Sequence, residues 1–336
     1  MNRISEVNTT SVDGCNVGYV IFGEKMEVLS SAVLNGGDTI TSAFFIMQVD
    51  KNYNHGNPKR HAETIRDALG LPPDSVGMMT AAEVDRVFNI VEENYGEHTM
   101  VAVATAGLSN HVVAGDELLN WEERHMISMM RAIGLRGTIN IALISDIPLT
   151  QAAKVNLMMP LVEGKTAAMN DRGYRETGTT SDSMAVISPI GSDRLDYSGT
   201  GTDIGIAGAR AVRKAVGHAL DARNEHPVPE PVSRLMDRFG YNCARLYEMS
   251  GCDVPIEKFI DAANCVMEDE RIEVLTDCIL FLKNRADSIA ADGNPEILGI
   301  ISKFIESVTG QVPFGNDCIS MLADSIVKLT GRKING

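Results

Sequence analysis

The sequence predicts an α/β fold in which helices flank a mixed central sheet and an all-helical extension follows at the C-terminus. Over the first two thirds of the chain, short apolar and β-branched runs alternate with segments of helical periodicity. Beyond a proline-rich stretch at residues 226–231, only helical patterns follow. We therefore predict an α/β domain over residues 1–225, a linker over 226–231 and a helical domain of unknown role over 232–336.

The first elements predict an antiparallel opening to the sheet. Residues 17–22 and 26–34 are short apolar runs that a Gly-Glu-Lys stretch separates, a pattern typical of a β-hairpin. Residues 39–49 predict a third strand. Strands that follow one another with little helix between them usually pair antiparallel.

Helices and central strands follow in alternation. The predicted helices are residues 61–69, 81–94, 149–173 and 204–220, and the predicted strands are residues 76–80, 99–106, 137–145 and 183–189. Pro160 lies inside the third of these helices and should kink or divide it. Thr202 or Asp203 is placed to cap the fourth helix.

Composition excludes several classes of function. The 336 residues are 44% hydrophobic and 22% charged, which is typical of globular domains. The net charge of −15 argues against a nucleic-acid partner, because phosphate binding relies on clustered Lys and Arg. No apolar run approaches the roughly 20 residues that span a bilayer, and the N-terminus lacks the layout of a secretory signal. We expect a cytoplasmic protein without a membrane partner, and homo-oligomerisation stays open.

A short phrase of glycine, hydroxyl residues and aspartate occurs twice. It is Gly-Thr-Thr-Ser-Asp at residues 178–182 and Gly-Thr-Gly-Thr-Asp at residues 199–203. Glycine lets the backbone approach a ligand, hydroxyls form hydrogen bonds, and the carboxylate can hold a proton. The first copy precedes a predicted strand, and the second begins a predicted helix, whose N-terminus favours an anion. Both copies are therefore predicted to line one site.

Seven phrases in colinear order over about residues 15–222 resemble the adenosylcobinamide amidohydrolase family, CbiZ. They are Asn-Gly-Gly at 35–37, Gly-Met-Met-Thr-Ala-Ala at 77–82, Thr-Ala-Gly-Leu-Ser-Asn at 105–110, Gly-Thr-Ile-Asn at 137–140, Glu-x-Lys-x-Ala-Ala at 163–168, Thr-Gly-Thr-Thr-Ser-Asp at 177–182 and Tyr-Ser-Gly-Thr-Gly-Thr-Asp-x-Gly at 197–205. Two features depart from the family pattern: the C-terminal extension, and a Val-Glu-Gly-Lys phrase where the family has Thr-Glu-Ala-Lys. These departures leave the substrate range open.

The resemblance implies an enzyme of corrinoid salvage, found in archaea and some bacteria. It would hydrolyse the amide that joins the aminopropanol arm to a corrin side chain, giving adenosylcobyric acid and 1-amino-2-propanol. The corrinoid substrate would carry its own cobalt, and we predict no protein-bound cofactor.

Amide hydrolysis needs an activated nucleophile, a proton donor and fixed dipoles where the oxyanion forms. The catalytic candidates are Glu163, Lys165, Asp182 and Asp203. We predict Asp182 or Glu163 as the base for water and Lys165 as the partner of the oxyanion or leaving group. The substrate-binding candidates are Asn35, Gly36, Ser109, Asn110, Thr138, Asn140, Thr179 and Thr200.

Several candidates have structural alternatives. Asp203 would serve as a helix cap, and Glu163 and Lys165, two apart on a helix, would pair with other helices. Asn35 suits a turn, and Asn110 would tie adjacent loops through its amide. His111 and His125 are expected to satisfy ordinary contacts more often than to catalyse.

Two further functions stay open. The six cysteines form no C-x-x-C pair, and no H-E-x-x-H motif occurs, so we expect water attack without a protein-bound metal. Cys15 gives an alternative, an acyl thioester formed on another carboxylated cofactor precursor, against a buried thiol. The other alternative is a non-catalytic corrinoid- or nucleotide-binding module whose Gly-Thr loops cradle phosphate.

Overall fold

The computed structural model describes residues 3–50, 53–108, 110–115, 137–223, 232–288 and 295–335. The chain divides into two compact units, Met1–Pro227 and Val228–Gly336. The predicted linker over residues 226–231 lies outside the described residues. Within the described residues, no helix combines the length and the apolar character that crossing a bilayer requires.

The N-terminal unit is built on an eight-stranded mixed sheet. The strands are β1 (Ile4–Val12), β2 (Cys15–Ser30), β3 (Gly37–Gln48), β4 (Val76–Thr80), β5 (Asn89–Tyr95), β6 (His98–Thr105), β7 (His111–Val112), β8 (Asn140–Ser145), β9 (Gly178–Thr179) and β10 (Ser183–Pro189). Their order is β4-β3-β2-β10-β8-β6-β5, with β1 paired to β2, and β7 and β9 form a separate ribbon. The pairs β8–β10 and β3–β4 are parallel, and the other pairs are antiparallel.

Helices cover the sheet, which confirms the predicted α/β class. The helices of this unit are α1 (Pro58–Ala68), α2 (Val84–Val87), α3 (Gln151–Asn170) and α4 (Asp203–Arg223). Leu157 on α3 and Val212 on α4 are buried in one core cluster with Met100 and Ile141 from the sheet. Alternate strand residues face the other way and build a second cluster, which includes Val103. Burial on both faces explains why these strands are almost continuously apolar.

The hairpin predicted at residues 23–25 is wrong. Residues 15–30 form one long strand, β2, whose register against β3 shifts between Ile21 and Met26. The hairpin lies earlier, where Asp13 and Gly14 adopt positive φ angles of 51° and 74° between β1 and β2. Two positive φ angles match the twist of paired strands, whereas an interruption inside β2 is absorbed as a bulge.

The helix predicted over residues 81–94 is also wrong, since α2 covers only Val84–Val87 and β5 follows it. The apolar spacing suits a helix, but antiparallel pairing with β6 decides the conformation. Pro160 does not divide α3, which continues from Gln151 to Asn170. Thr202 accepts a hydrogen bond from the Gly205 amide at 3.1 Å and so caps α4, as predicted.

The C-terminal unit is all-helical in the described residues, which confirms the predicted extension. Its helices are α5 (Val232–Arg238), α6 (Cys243–Ser250), α7 (Ile256–Met267), α8 (Glu270–Ser288), α9 (Pro295–Thr309) and α10 (Cys318–Asn335). Ile301 and Ile305 on α9 pack in one core with Leu322 and Ile326 on α10, and each pair is four residues apart, as on one face of a helix.

Candidate active site

Polar side chains collect where the central strands of the sheet end or begin on one side of the unit. We call this the site end: β6 ends there and β8 and β10 begin there, with Thr105 opposite Asn140 and Asn140 opposite Ser183. The opposite ends of the same strands, where β6 begins and β8 and β10 end, are called the far end. Since β6 has eight residues, the two ends lie about 23 Å apart.

A lysine and an aspartate form the centre of the site end. Lys165 reaches from α3 and donates from Nζ to Oδ2 of Asp182 at 2.5 Å. Their side chains are only 7% and 10% exposed. A Cβ added at Gly178 would lie 2.4 Å from both Lys165 Nζ and Asp182 Oδ2, so the pair requires glycine beside it. The first copy of the repeated phrase therefore encloses an ion pair.

The other oxygen of Asp182 is also engaged. Oδ1 accepts hydrogen bonds from the Thr179 amide at 3.1 Å, the Thr179 hydroxyl at 2.5 Å and the Ile139 amide at 3.3 Å. Thr179 is a predicted substrate-binding residue, and the structure brings it directly onto the predicted catalytic carboxylate. Both carboxylate oxygens of Asp182 thus accept hydrogen bonds, which fix the carboxylate and the loop around it.

Hydroxyls and amides surround this pair. Thr138 and Ser181 share a hydrogen bond between their hydroxyls. The side-chain amide of Asn110 donates to Thr180 at 2.9 Å and to Ser181 at 3.2 Å, so Asn110 ties two loops together, as its alternative predicted. The structure therefore brings Asn110 and Thr138 to the loop that carries Asp182.

Three buried oxygens at this end have no hydrogen-bond partner among the described residues: Asn110 Oδ1, Asn140 Oδ1 and Thr105 Oγ1. Asn140 and Thr105 are fully buried, and the Asn140 amide donates to the Met79 carbonyl at 2.8 Å. Buried polar atoms without partners are rare in folded proteins because each costs free energy. Each of these three oxygens can accept a hydrogen bond from a ligand.

His111, which the sequence analysis expected to make ordinary contacts, lies beside this centre. The β7–β9 ribbon places His111 opposite Thr179. His111 Nδ1 lies 2.6 Å from Glu176 Oε1, and the Tyr174 ring meets the imidazole edge-on with centroids 6.4 Å apart. No motif spacing links positions 111 and 176, so only the ribbon pairing reveals this arrangement.

The structure does not bring Glu163, Thr200 and Asp203 to the centre. Glu163 is on the exposed side of α3, where it accepts a hydrogen bond from Thr200 at 3.0 Å. Asp203 is exposed at the start of α4, next to Gly96 in the β5–β6 turn at the far end. The two Gly-Thr loops do not converge, because β10 carries the chain from one end of the sheet to the other between them.

Asn35 and Gly36 stabilise a loop, and the Asn35 amide bonds to backbone carbonyls of that region instead of the Lys165–Asp182 centre. Asn35 has a left-handed φ of 52°, and its amide donates to the carbonyls of Pro73 and Ser75. A Cβ at Gly36 would lie 2.1 Å from the Ala32 carbonyl oxygen, so only glycine fits there. Ser109 and His125 lie outside the described residues.

Cys15 is not placed as a nucleophile. Its Sγ lies 2.8 Å from the Gln48 carbonyl, and burial raises the pKa of the thiol to about 11. Cys15 is buried in a core cluster with Val17, Phe45 and Met47, which fits the buried-thiol alternative. Among the described residues, no group of three or more His, Cys, Asp and Glu side chains is arranged to hold a metal ion.

Comparison with known proteins gives the family. The model of the family CbiZ, adenosylcobinamide amidohydrolase, matches residues 5–227. An adenosylcobinamide amidohydrolase of Methanosarcina mazei is 28% identical over 204 residues, which cover 58% of this chain and 90% of the relative. One of Halobacterium salinarum is 27% identical over 198 residues, which cover 56% of this chain and 78% of the relative.

A crystal structure of the PH0078 protein from Pyrococcus horikoshii OT3 matches 67% of this chain and 86% of its own, with 12% identity and a TM-score of 0.37. The family match covers all of the sheet except its first residue, Ile4, and includes the Lys165–Asp182 centre; it confirms the resemblance found in the sequence. The chain belongs to the CbiZ adenosylcobinamide amidohydrolase family and is a hydrolase that acts on an amide bond.

Proposed function

We propose that this chain hydrolyses adenosylcobinamide to adenosylcobyric acid and 1-amino-2-propanol at the Lys165–Asp182 centre. The observation that carries the proposal is the buried ammonium, which is held by one carboxylate among hydroxyls and amides, within the part of the chain that the family model matches. A corrin amide is a neutral group, so an acidic protein has no electrostatic barrier to binding it.

Lys165 stabilises the charge that develops on the amide oxygen. An ammonium carries three N–H donors, and Asp182 accepts one of them. The side chain is 7% exposed, and electrostatic stabilisation in such a water-poor site is stronger than in water. Lys165 can therefore donate to the oxyanion while Asp182 keeps it in place.

Asp182 is better suited to positioning than to taking a proton from water. Its oxygens accept from Lys165, from the amide and hydroxyl of Thr179 and from the Ile139 amide. A carboxylate that becomes protonated loses part of this acceptor capacity, so general base catalysis at Asp182 would disturb its own support. We assign Asp182 to holding Lys165 and the 178–182 loop.

The remaining proposed contacts come from Asn110, Thr138 and Asn140. Asn110 and Asn140 each have a buried carbonyl oxygen that can accept a hydrogen bond from a substrate amide. The corrinoid brings its own cobalt, and the proposed reaction uses no protein-held metal. We place the reaction in the cytoplasm, as the composition predicts.

Incubation of the purified chain with adenosylcobinamide tests the proposal. Mass spectrometry should detect free 1-amino-2-propanol and a corrinoid that carries one new carboxylate. Turnover should survive treatment with a chelator, and a loss of turnover that Zn²⁺ or Mn²⁺ restores would contradict the metal-free part of the proposal. Binding of the corrinoid without any product would instead support the non-catalytic module.

A further inference from the structure

We infer that His111, oriented by Glu176, is the catalytic residue that carries a proton from the attacking water to the leaving amine. The inference rests on the proposed amide hydrolysis and supplies the base that Asp182 is poorly placed to be. Four observations carry it: the β7–β9 register, the carboxylate on Nδ1, the buried surroundings and the engaged oxygens of Asp182.

The register places the imidazole next to the centre. His111 and Thr179 are directly opposite each other in the antiparallel ribbon. Residues in this relation project from the same face, with Cβ atoms about 4.5–5.5 Å apart. The Thr179 hydroxyl donates to Asp182 at 2.5 Å, and Asp182 holds Lys165. The histidine is therefore one cross-strand pair away from the residue that contacts the carboxylate of the centre.

Glu176 fixes the orientation of the ring. Nδ1 lies 2.6 Å from the Glu176 carboxylate in an ion-pair contact, and we assign the exchange of the proton with water to the other ring nitrogen, Nε2. The two side chains are 16% and 25% exposed, and the edge of Tyr174 limits ring rotation. A carboxylate in this position also stabilises the imidazolium that forms when Nε2 accepts a proton.

The proton balance of the reaction is simple. Nε2 accepts a proton from water as the water oxygen forms a bond to the amide carbon, and the carbonyl electron pair moves onto oxygen, where Lys165 donates. The imidazolium then returns this proton to the amide nitrogen. The C–N bond breaks with its electron pair on nitrogen, the carbonyl reforms, and a carboxylic acid and an amine result. His111 ends in its starting state.

The protein provides a matched control for this pair. His98 Nδ1 lies 3.6 Å from Asp146 Oδ1, and these side chains are similarly half-buried, at 21% and 25% exposure. They are at the far end, at the start of β6 and just after β8. A His98→Gln substitution therefore removes a histidine beside a carboxylate on the same sheet without touching the centre.

The experiment compares wild-type enzyme, His111→Gln, Glu176→Gln and His98→Gln by steady-state turnover of adenosylcobinamide. We expect kcat of His111→Gln to fall by about 10²–10⁴-fold with KM little changed, which is the usual contribution of a general acid or base. Glu176→Gln should lose less, about 10–100-fold, as is typical of a group that orients another. His98→Gln should keep wild-type kcat and KM.

Imidazole separates a chemical role from a structural one. Added imidazole should restore part of the kcat of His111→Ala and leave Lys165→Ala unchanged. Folded His111→Gln with near-normal kcat would overturn the inference, and so would a loss confined to KM or one that imidazole does not restore. If the His111 variants fail to fold, a wild-type kcat in Glu176→Gln overturns it. Wild-type enzyme that makes no product overturns the proposed function itself, which is a different result.

Discussion

The two ends of the sheet contain similar sets of residues and use them differently. Each end has one copy of the Gly-Thr phrase, one histidine beside a carboxylate, and one buried lysine from α3 paired with a carboxylate. Lys154 and Lys165 are eleven residues apart, about three helical turns, so they leave the same side of α3. Residue types alone therefore do not distinguish the ends.

The neighbours of each lysine do distinguish them. At the far end, Lys154 is fully buried and lies 2.5 Å from Glu27, which also pairs with Arg194 at 2.6 Å. The Arg194 guanidinium, together with Lys154, holds the pKa of Glu27 below its usual range. Two cations on one carboxylate join α3 to β2 and a following loop. At the site end, one lysine and one carboxylate sit among hydroxyls and a side-chain amide, which is the environment that we propose for the reaction.

The largest difference between the two ends should appear when the aspartate of each Gly-Thr phrase is replaced by asparagine. Asp182→Asn leaves the Lys165 ammonium buried without its counter-charge, which typically costs about 3–5 kcal/mol of unfolding free energy, and it also removes the anchor of the site. Asp203→Asn changes an exposed residue and should stay within about 0.5 kcal/mol of wild type. Chemical denaturation and turnover assays measure both. Equal losses in the two variants would show that the ends are not functionally different.

Removing the lysines sharpens the comparison further. Lys165→Ala should lower kcat by about 10²–10³-fold, as the loss of one oxyanion donor usually does. Lys154→Met should leave kcat unchanged and lower only stability, because Arg194 still compensates Glu27. Steady-state kinetics on folded variants decides. A drop in kcat for Lys154→Met as large as that for Lys165→Ala would place catalysis elsewhere.

The glycines of the two loops should give a smaller difference. Gly178→Ala puts a methyl group 2.4 Å from Lys165 Nζ and Asp182 Oδ2, so the pair must separate. A shift of about 1 Å at a catalytic group can cost about 10²-fold in rate. Gly201 has no atom within 4 Å of an added Cβ, so Gly201→Ala should be silent. Wild-type kcat in Gly178→Ala would mean that the ion pair is not needed in its present geometry.

Much of the fold could be predicted because apolar periodicity reports burial. Residues 183–189 and 204–220 have clear patterns, and the structure has β10 and α4 there. β1 was missed because nearly all of its side chains are exposed, which leaves no apolar alternation. The segment of β5 was predicted as a helix because its apolar residues have helical spacing. Its pairing with β6 decides the conformation, and that pairing is not visible in the sequence of the segment itself.

The site was predictable where a local phrase carries it. The phrase at 178–182 contains the contacts between Thr179 and Asp182, and the resemblance adds Lys165. The second copy, at 199–203, has the same residue types, but there a threonine caps a helix and the aspartate faces a turn at the far end. His111 and Glu176 are 65 residues apart, and only a two-residue ribbon brings them together.

The smallest expected effect should come from Cys15, which is a buried thiol. Burial raises the pKa of Cys15 to about 11, so the thiolate forms only as pH rises toward that value, and at pH 8 about one molecule in a thousand carries it. Iodoacetamide should therefore modify exposed Cys265 well before Cys15 in folded protein. Cys15→Ser should keep wild-type kcat, because a hydroxyl can also donate to the Gln48 carbonyl. A covalent acyl group on Cys15 during turnover, found by mass spectrometry, would move the reaction away from the Lys165–Asp182 centre.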